Sequence, residues 1–199
     1  MKIGLTGSIA CGKSTVAAML VQHGAVLVDA DEAARDVVLP GEPALDNVVR
    51  TFGQAVLRSD GTLDRAELGK LVFADKDKLK QLEAILHPAI RERMWSQMER
   101  YEQEDSSRPI IADIPLLYET DQAALYDGVI VVYVPPEVQL QRLLARSPQM
   151  TEQEARRRID LQMSIEEKKQ RADWVIDNSG SLEETERQVD LFWRQMTKL

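Results

Sequence analysis

The amino-acid sequence predicts an α/β fold in which helices cover both faces of a parallel sheet. Four observations support this prediction. Five short segments are apolar throughout, which is typical of strands that are buried on both faces. These segments alternate with stretches of helical periodicity. The first segment runs into a glycine-rich turn that precedes a helix, and 44% of the 199 residues are hydrophobic, which is enough to fill a core.

The predicted strands follow one another along the chain with helices between them. They span residues 2–6, 25–29, 109–113, 128–134 and 174–177. Helices are predicted at residues 14–23, 30–38 and 137–146, over most of 43–104, and after Thr151 and Ser181. Gly24 suits the end of the first helix, and Asp64 suits the N-cap of a later one. We expect Pro88 in the first turn of a helix that begins after a break at His87.

The composition excludes several classes of protein. With 33 acidic and 25 basic residues the net charge is −8, which argues against general nucleic-acid binding. The lone Cys11 has no partner for an intrachain disulfide, and the distant His23 and His87 suggest no zinc site. No window is apolar enough to span a membrane, and no signal peptide is recognisable. We expect a cytoplasmic monomer or small homo-oligomer without nucleic-acid or membrane partners.

Residues 7–14, GSIACGKS, match the complete pattern of a phosphate-binding loop (P-loop) between a strand and a helix. Gly7 and Gly12 allow positive φ angles and close backbone approach, so that successive N–H groups can point at phosphate oxygens. Lys13 would reach the β- and γ-phosphates, and Ser14 would ligate Mg²⁺ beside the positive end of the helix dipole. The motif predicts a nucleoside triphosphate site but does not choose between ATP and GTP.

Cys11 lies inside this loop, and two interpretations of it stay open. In the simpler one, which we prefer, cysteine is present only because it is small. In the other, the cationic and N–H-rich loop lowers the pKa of the thiol and makes it oxidisable.

The residues around Asp113 favour phosphoryl transfer over nucleotide hydrolysis. Hydrolases with such a loop often carry a glutamate directly after the aspartate that ends a core strand, but here Ile114 follows Asp113. The chain also has no Asn-Lys-x-Asp guanine motif. A small-molecule kinase fits better, because the hydroxyl of its acceptor replaces water as the nucleophile. The alternatives are a kinase for another metabolite or nucleotide, and a non-enzymatic ATP-binding switch.

The chain offers candidates for the carboxylate, the cations and the lid that a kinase also needs. Asp31 follows the second strand, whose carboxyl end should line the ligand crevice, although its spacing equally allows it to cap the next helix. Arg142 follows the fourth strand by one or two turns and is expected near the phosphates. Residues 142–171 contain eight basic and five acidic residues and form a candidate lid. Within them, Arg156 and Arg157 are expected on a solvated face.

Seven segments resemble the dephospho-CoA kinase family, and together they run through nearly the whole chain. They are LTGSIACGKST at residues 5–15, VDADEAAR at 28–35, LEAILHPAIRERM at 82–94, DIPLLYE at 113–119, QRLLAR at 141–146, EARRRIDLQM at 154–163 and VIDNSGSLEET at 175–185. The loop alone marks a superfamily, whereas HP, DIPLLYE and IDNSG in this order are much more specific. The chain departs from the family at Ser8, at Ala10-Cys11 and at Tyr118. The hydroxyl of Tyr118 needs a partner if it is buried.

The resemblance implies that the γ-phosphoryl group of ATP is transferred to the ribose 3′-hydroxyl of dephospho-CoA, with Mg²⁺ as cofactor. It implies one kinase domain over residues 1–199, with a three-layer P-loop fold around five parallel strands. The core would comprise about residues 1–38, 108–146 and 172–199. A helical acceptor-binding region would span about 39–107, and a helical lid about 147–171.

The resemblance also assigns roles to individual residues. Asp31 would be the general base, and Lys13 and Arg142 would stabilise the transferred phosphoryl group. Asp113 would hold Mg²⁺ through water or orient Ser14. The remaining ATP-binding residues would be Gly7, Ala10, Cys11, Gly12 and Thr15. Asn178 and Gly180 are added on position alone, because they form the turn after the last strand, where adenine often rests in P-loop kinases. The acceptor would contact His87, Leu116, Leu117, Tyr118 and Glu119, although the pattern alone equally allows a turn residue at 87 and core residues at 116–118.

Overall fold

A computed structural model describes residues 1–197 and confirms the predicted parallel sheet of five strands. The strands are β1 (Lys2–Gly7), β2 (Val26–Asp29), β3 (Ile110–Asp113), β4 (Gly128–Tyr133) and β5 (Trp174–Asp177). Their order across the sheet is β2-β3-β1-β4-β5. The central strand β1 pairs in parallel with β3 and β4, and β4 pairs in parallel with β5. The carboxyl ends of these strands therefore lie at one edge of the sheet, where the loop after β1 also lies.

Nine α-helices lie within the described residues. They are α1 (Lys13–Gln22), α2 (Ala30–Asp36), α3 (Pro43–Phe52), α4 (Arg65–Phe73), α5 (Lys76–Glu104), α6 (Pro136–Arg146), α7 (Glu152–Asp160), α8 (Ile165–Arg171) and α9 (Leu182–Met196). Two short 3₁₀ helices occur at Gln54–Val56 and Ala123–Leu125. None of these helices, within residues 1–197, has the length and apolar character needed to cross a membrane.

Local signals set the predicted helix ends. Thr151 and Ser181 each form a complete capping box at the start of α7 and α9. Asp64 caps α4 by accepting hydrogen bonds from two backbone N–H groups of its first turn. Gly24 follows α1 with a φ of +106°, which suits glycine alone. Interactions and backbone preferences of residues within about four positions of each helix end therefore determine these boundaries.

The predicted helix break at His87 is wrong, because α5 continues through Pro88. Proline removes one backbone hydrogen bond and crowds the carbonyl of Ala84, but Ala84 is exposed and water can solvate it. Apolar side chains on both sides of Pro88 pack against the same core. They are Leu79, Leu82, Ile85, Leu86, Ala89 and Ile90. This shared packing offsets the cost of the proline and keeps the helix in one piece.

The chain divides into two compact units, which are described separately. The first comprises Met1–Val28 and the chain from Arg100 onwards, and it carries the phosphate loop and most of the sheet. The second is Asp29–Glu99. It overlaps the predicted acceptor-binding region of 39–107, but it begins ten residues earlier and ends eight residues earlier than that prediction. Its core is aliphatic and consists of Val37, Val38, Ala44, Leu45, Val48, Val56, Leu63, Leu68 and Val72.

Candidate active site

The loop between β1 and α1 has the backbone conformation that a phosphate-binding loop requires. Ala10 and Gly12 both have positive φ angles, +64° and +82°. The Gly12 carbonyl accepts hydrogen bonds from the N–H groups of Thr15 and Val16 at 3.0 and 3.4 Å, which starts α1 directly after the loop. A Cβ atom on Gly12 would collide with Nδ2 of Asn178. Glycine is therefore required at position 12 for both backbone conformation and space.

Lys13 and Asp113 form an ion pair between the start of α1 and the end of β3. The Asp113 side chain is buried, whereas Lys13 is partly exposed. We predicted that Asp113 holds Mg²⁺ or orients Ser14, and the structure adds Lys13 as a direct partner of the same carboxylate. The exposed Ser14 lies in the first turn of α1, next to that pair. The pair therefore joins two residues that the sequence assigned to phosphate and metal.

Arg142 and Asn178 lie beside the phosphate loop, as their predicted roles require. Nη2 of Arg142 donates to the backbone oxygen of Asn178 at 2.8 Å. The buried Asn178 amide donates through Nδ2 to the Cys11 carbonyl at 2.8 Å, and its Oδ1 accepts from the Thr185 hydroxyl at 2.9 Å. The side chain of Asn178 therefore holds the loop backbone itself.

Gly180 lines a cavity of about 540 Å³ that opens after β5. The other lining residues are Asp177, Ser179, Glu184, Arg187, Gln188 and Leu191. A Cβ atom on Gly180 would collide with the Glu184 carboxylate, which closes the capping box of α9. Glycine at this position therefore preserves the start of α9 beside the cavity.

The oxidisable interpretation of Cys11 is wrong for the folded chain. The Cys11 side chain is fully buried, and burial raises the pKa of its thiol in spite of hydrogen bonds with the backbone of Ser8 and Val134. A buried, neutral thiol is a poor nucleophile. Cysteine at this position therefore acts as a small core residue.

The DIPLLYE segment is only partly accessible to a ligand. Leu116 is exposed, but Leu117 is fully buried and Tyr118 is nearly so. The Tyr118 hydroxyl donates to the Arg171 carbonyl at 2.9 Å, and burial together with the Asp173 carboxylate raises the pKa of Tyr118 to about 12. In this conformation Leu117 and Tyr118 are core residues rather than acceptor contacts, which corrects our expectation for them. The buried hydroxyl has the partner that it needs.

Lys168 is a buried residue that the sequence did not single out. Its side chain has no exposed surface, and Nζ lies 3.2 Å from the Gly7 carbonyl and 3.0 Å from the Pro115 carbonyl. It also forms an ion pair with Oε1 of Glu119 at 2.9 Å, and the same oxygen accepts from the Met163 N–H at 2.9 Å. Helix α8 is thereby fastened to the end of β1 and to the loop after β3.

Two glutamines make further contacts with the loop, and they too were missed. Nε2 of the buried Gln139 on α6 donates to the Ile9 carbonyl at 2.9 Å. Oε1 of Gln162, which lies between α7 and α8, accepts from the Ile9 N–H at 2.8 Å. These partners lie 130 and 153 residues from Ile9. No local pattern in the sequence relates residues at such separations.

The charged face of α7 is solvated, as expected for Arg156 and Arg157. Both arginines are exposed. Arg156 forms an ion pair with Glu152 one turn earlier, at 2.7 Å. Exposed pairs at this spacing contribute little to stability. Arg156 and Arg157 therefore face solvent rather than the phosphate loop in this structure.

Asp31 and His87 belong to the second unit and are described within it. Asp29 caps α2, because its Oδ1 accepts from the N–H groups of Asp31 and Glu32 at 2.6 and 3.2 Å. The alternative in which Asp31 is the cap is therefore wrong, and the Asp31 side chain lies exposed in the first turn of α2. His87 is partly buried inside α5, so it is not a turn residue.

The second unit also has a polar cavity of its own, of about 260 Å³. It is lined by Val37, Glu42, Pro43, Ala44, Ala89, Glu92, Arg93 and Ser96. Arg93 donates to Glu42 at 2.7 Å and lies 3.9 Å from Asp36. The guanidinium is therefore held by two carboxylates, an arrangement that the sequence did not reveal.

The donor atoms at the loop fit a magnesium ion that arrives with a nucleotide. Among residues 1–197, no group of three or more histidine, cysteine or acidic side chains is arranged to hold a metal. Mg²⁺ usually keeps several waters and takes one or two protein oxygens together with phosphate oxygens. The Ser14 hydroxyl and the Asp113 carboxylate supply such oxygens. Both residues therefore remain our predicted metal ligands, Asp113 through water.

Comparison with known proteins places the chain in one family. The family model described as dephospho-CoA kinase matches residues 1–184. A dephospho-CoA kinase of Symbiobacterium thermophilum is 51% identical over 193 residues, which cover 96% of this chain and 80% of that protein. The structure is similar to that of TT1252 from Thermus thermophilus, with a TM-score of 0.81, 36% identity and coverage of 98% and 97% of the two chains.

A second solved structure agrees with this result. A dephospho-CoA kinase from Campylobacter jejuni has a TM-score of 0.76 and 31% identity, and the match covers 100% of this chain and 98% of that one. The family match extends from the phosphate loop through β5 and into α9. The chain belongs to the dephospho-CoA kinase family.

Proposed function

We propose that the chain transfers the γ-phosphoryl group of ATP to the ribose 3′-hydroxyl of dephospho-CoA, the last step of coenzyme A synthesis. The observation that carries the proposal is the complete phosphate loop with Lys13 at the N-terminus of α1, in a chain of this family. Phosphoryl transfer depends mainly on positioning and on stabilising charge, so the roles of the residues follow from their chemistry.

The residues around the loop supply the donor site. Backbone N–H groups of the loop and the N-terminus of α1 bind the phosphates of ATP. The Lys13 ammonium exchanges its contact with Asp113 for the β- and γ-phosphates. Arg142, on α6 beside the loop, offsets charge on the phosphoryl group in transit. Ser14 directly and Asp113 through water would hold Mg²⁺, which supplies additional positive charge at the phosphate oxygens when it is bound.

Asp31 is the proposed base toward the acceptor. Its carboxylate is exposed on the first turn of α2, since Asp29 provides the cap. It orients the 3′-hydroxyl and accepts the proton as the oxygen attacks phosphorus in line with the leaving ADP. His87, the exposed Leu116 and Glu119 are the proposed acceptor contacts. Residues 147–171 are the proposed lid, which excludes water so that ATP is not hydrolysed without acceptor.

The activity assay tests this proposal against other kinases and against hydrolysis. ADP release is measured with dephospho-CoA, adenosine, AMP and shikimate, and with no acceptor. We expect saturable turnover with dephospho-CoA alone, and a product phosphorylated at the 3′-hydroxyl. Turnover with another acceptor would indicate a different metabolite kinase, and equal ADP release without acceptor would indicate an ATPase. We place the reaction in the cytoplasm, with a monomer or small homo-oligomer that needs no nucleic acid or membrane.

A further inference from the structure

Three carbonyl groups at alternate positions of the phosphate loop each accept a hydrogen bond from a buried side chain. Lys168 on α8 donates to the Gly7 carbonyl at 3.2 Å. Gln139 on α6 donates to the Ile9 carbonyl at 2.9 Å. Asn178 after β5 donates to the Cys11 carbonyl at 2.8 Å. The three donors come from different elements and lie more than 120 residues beyond the loop, so only the folded first unit brings them together.

Because these donors are buried, they strongly favour the loop conformation in which each of them is hydrogen-bonded. Lys168 has no exposed surface, and Gln139 and Asn178 are 1% and 8% exposed. A buried polar group without a partner is costly, so each donor strongly favours the conformation in which its carbonyl faces it. Lys168 has three N–H protons and three acceptors within 3.2 Å, namely the carbonyls of Gly7 and Pro115 and the carboxylate of Glu119. The ammonium is thus fixed in both position and orientation.

The direction of each carbonyl determines the direction of the N–H group that follows it. In a trans peptide unit the C=O and N–H bonds point in opposite directions, and no cis peptide occurs among the described residues. The N–H groups of Ser8, Ala10 and Gly12 therefore point away from the three buried donors. The other two N–H groups of this stretch are used internally, because Ile9 donates to Gln162 and Cys11 donates to the Ser8 carbonyl.

We propose that Lys168, Gln139 and Asn178 form a carbonyl scaffold, a set of positioning residues that aims the loop N–H groups at the phosphates of the bound nucleotide. The scaffold rests on the proposed function, since it serves the nucleotide of that reaction. It acts through the backbone of the loop, so its loss weakens nucleotide binding although none of the three donors needs to touch the nucleotide. A rigid, preorganised cradle binds better because less order is lost on binding.

Substitutions of two buried donors and one exposed control test the scaffold. Lys168→Met and Gln139→Met remove a donor with little change in side-chain length. Gln141→Met makes the same chemical change as Gln139→Met at an exposed position two residues further along α6. Each full-length variant is first checked for native circular dichroism and cooperative thermal unfolding. Titration calorimetry with ADP and Mg²⁺ then measures nucleotide affinity without any acceptor.

We expect each buried substitution to weaken ADP binding by about tenfold or more, and the exposed Gln141→Met to change it by less than about twofold. Gln139→Met should raise the KM for ATP but leave the KM for dephospho-CoA unchanged, which general loosening of the fold would not do. Folded Lys168→Met and Gln139→Met variants that bind ADP like the parent would overturn the scaffold, as would a parallel rise of both KM values in Gln139→Met.

Two further outcomes are also decisive. Where Lys168→Met does not fold, Gln139→Met and its exposed counterpart Gln141→Met alone decide the question. Where the parent chain shows no turnover with dephospho-CoA, the proposed function fails, but ADP titration still supports or overturns the scaffold. The two proposals are therefore tested separately.

Discussion

The phosphate loop and the helical unit Asp29–Glu99 are stabilised in different ways. The loop is surrounded by buried polar side chains, and its carbonyls at positions 7, 9 and 11 each have a directional partner. The helical unit packs around valine, leucine and alanine, and its Asp31 carboxylate is exposed. Hydrogen bonds fix orientation, whereas aliphatic packing mainly fixes volume. The phosphate loop therefore depends on backbone direction, and the helical unit depends on a filled core.

The largest expected effect separates nucleotide binding from turnover. Asp31→Asn should lower turnover by roughly 10²–10⁴-fold, because asparagine cannot accept the proton of the hydroxyl. ATP affinity should change little, since the loop is untouched. Steady-state kinetics and ATP titration measure the two effects. Asp29→Asn is the matched control, because asparagine caps a helix as well as aspartate does, and its turnover should stay near that of the parent.

The contrasting result would be loss of ATP binding by a well-folded Asp31→Asn variant. Asp31 would then serve the metal or the nucleotide rather than the acceptor. Part of the nucleotide site would then belong to the helical unit.

The second effect concerns stability. Leu45→Ala should lower the free energy of unfolding by about 2–5 kcal/mol, because it leaves a cavity in the aliphatic core of the helical unit. ADP affinity at a temperature where the variant is folded should not change. Urea unfolding and ADP titration measure the two quantities, with the exposed Leu39→Ala as control. A large loss of ADP affinity in Leu45→Ala would mean that the loop depends on this core after all.

The third effect uses two glycines with the same φ of +82° in the two regions. Gly12→Ala should weaken ADP binding by more than about tenfold, since its Cβ atom would displace Asn178 from the Cys11 carbonyl. Gly61→Ala meets open space, so it should cost only about 1 kcal/mol of stability and leave ADP affinity alone. Equal effects of the two substitutions on ADP binding would contradict a local requirement for glycine at position 12.

The smallest effect is a pH dependence that arises from Cys11. Its pKa is higher in the folded chain than in the unfolded chain, so the unfolded chain releases the proton first. The free energy of unfolding should therefore fall as the pH rises through the unfolded pKa of about 8.5, by at most about 1.4 kcal/mol per pH unit. Urea unfolding at pH 7.5 and 9.5, under reducing conditions, should show a smaller loss in Cys11→Ala than in the parent. Identical losses would contradict the raised pKa.

Features that depend on neighbouring residues were predictable from the sequence. The strands, the capping boxes at Thr151 and Ser181, and the loop with Lys13 all follow from short-range chemistry. The positions of Arg142 and Asn178 after the fourth and fifth strands predicted that both lie near the nucleotide site, and both lie beside the loop. A side chain and a backbone group that lie within four residues of each other can form few alternative local structures.

Features that depend on distant partners were missed. Lys168 lies in a charged helix that the sequence presents as solvated, yet it is fully buried because three acceptors from elsewhere in the chain converge on it. Pro88 signals a helix end locally, but packing on both sides of it keeps α5 continuous. For Lys168 and Pro88, tertiary contacts decided what local preference left open. The cap of α2 is a local feature, and there the spacing left open whether Asp31 is the cap, whereas Asp29 fills that position.

The burial of Lys168 beside the exposed Lys169 gives the enzyme a built-in chemical reporter. An amine-directed reagent reaches the second lysine in the folded chain, but it reaches the first only when α8 leaves its position against Gly7 and Pro115. The two side chains sit next to each other in one peptide, so mass spectrometry reads their modification as a ratio that is independent of total protein. That ratio counts the departures of α8 from the loop, with or without nucleotide, in a single unlabelled sample.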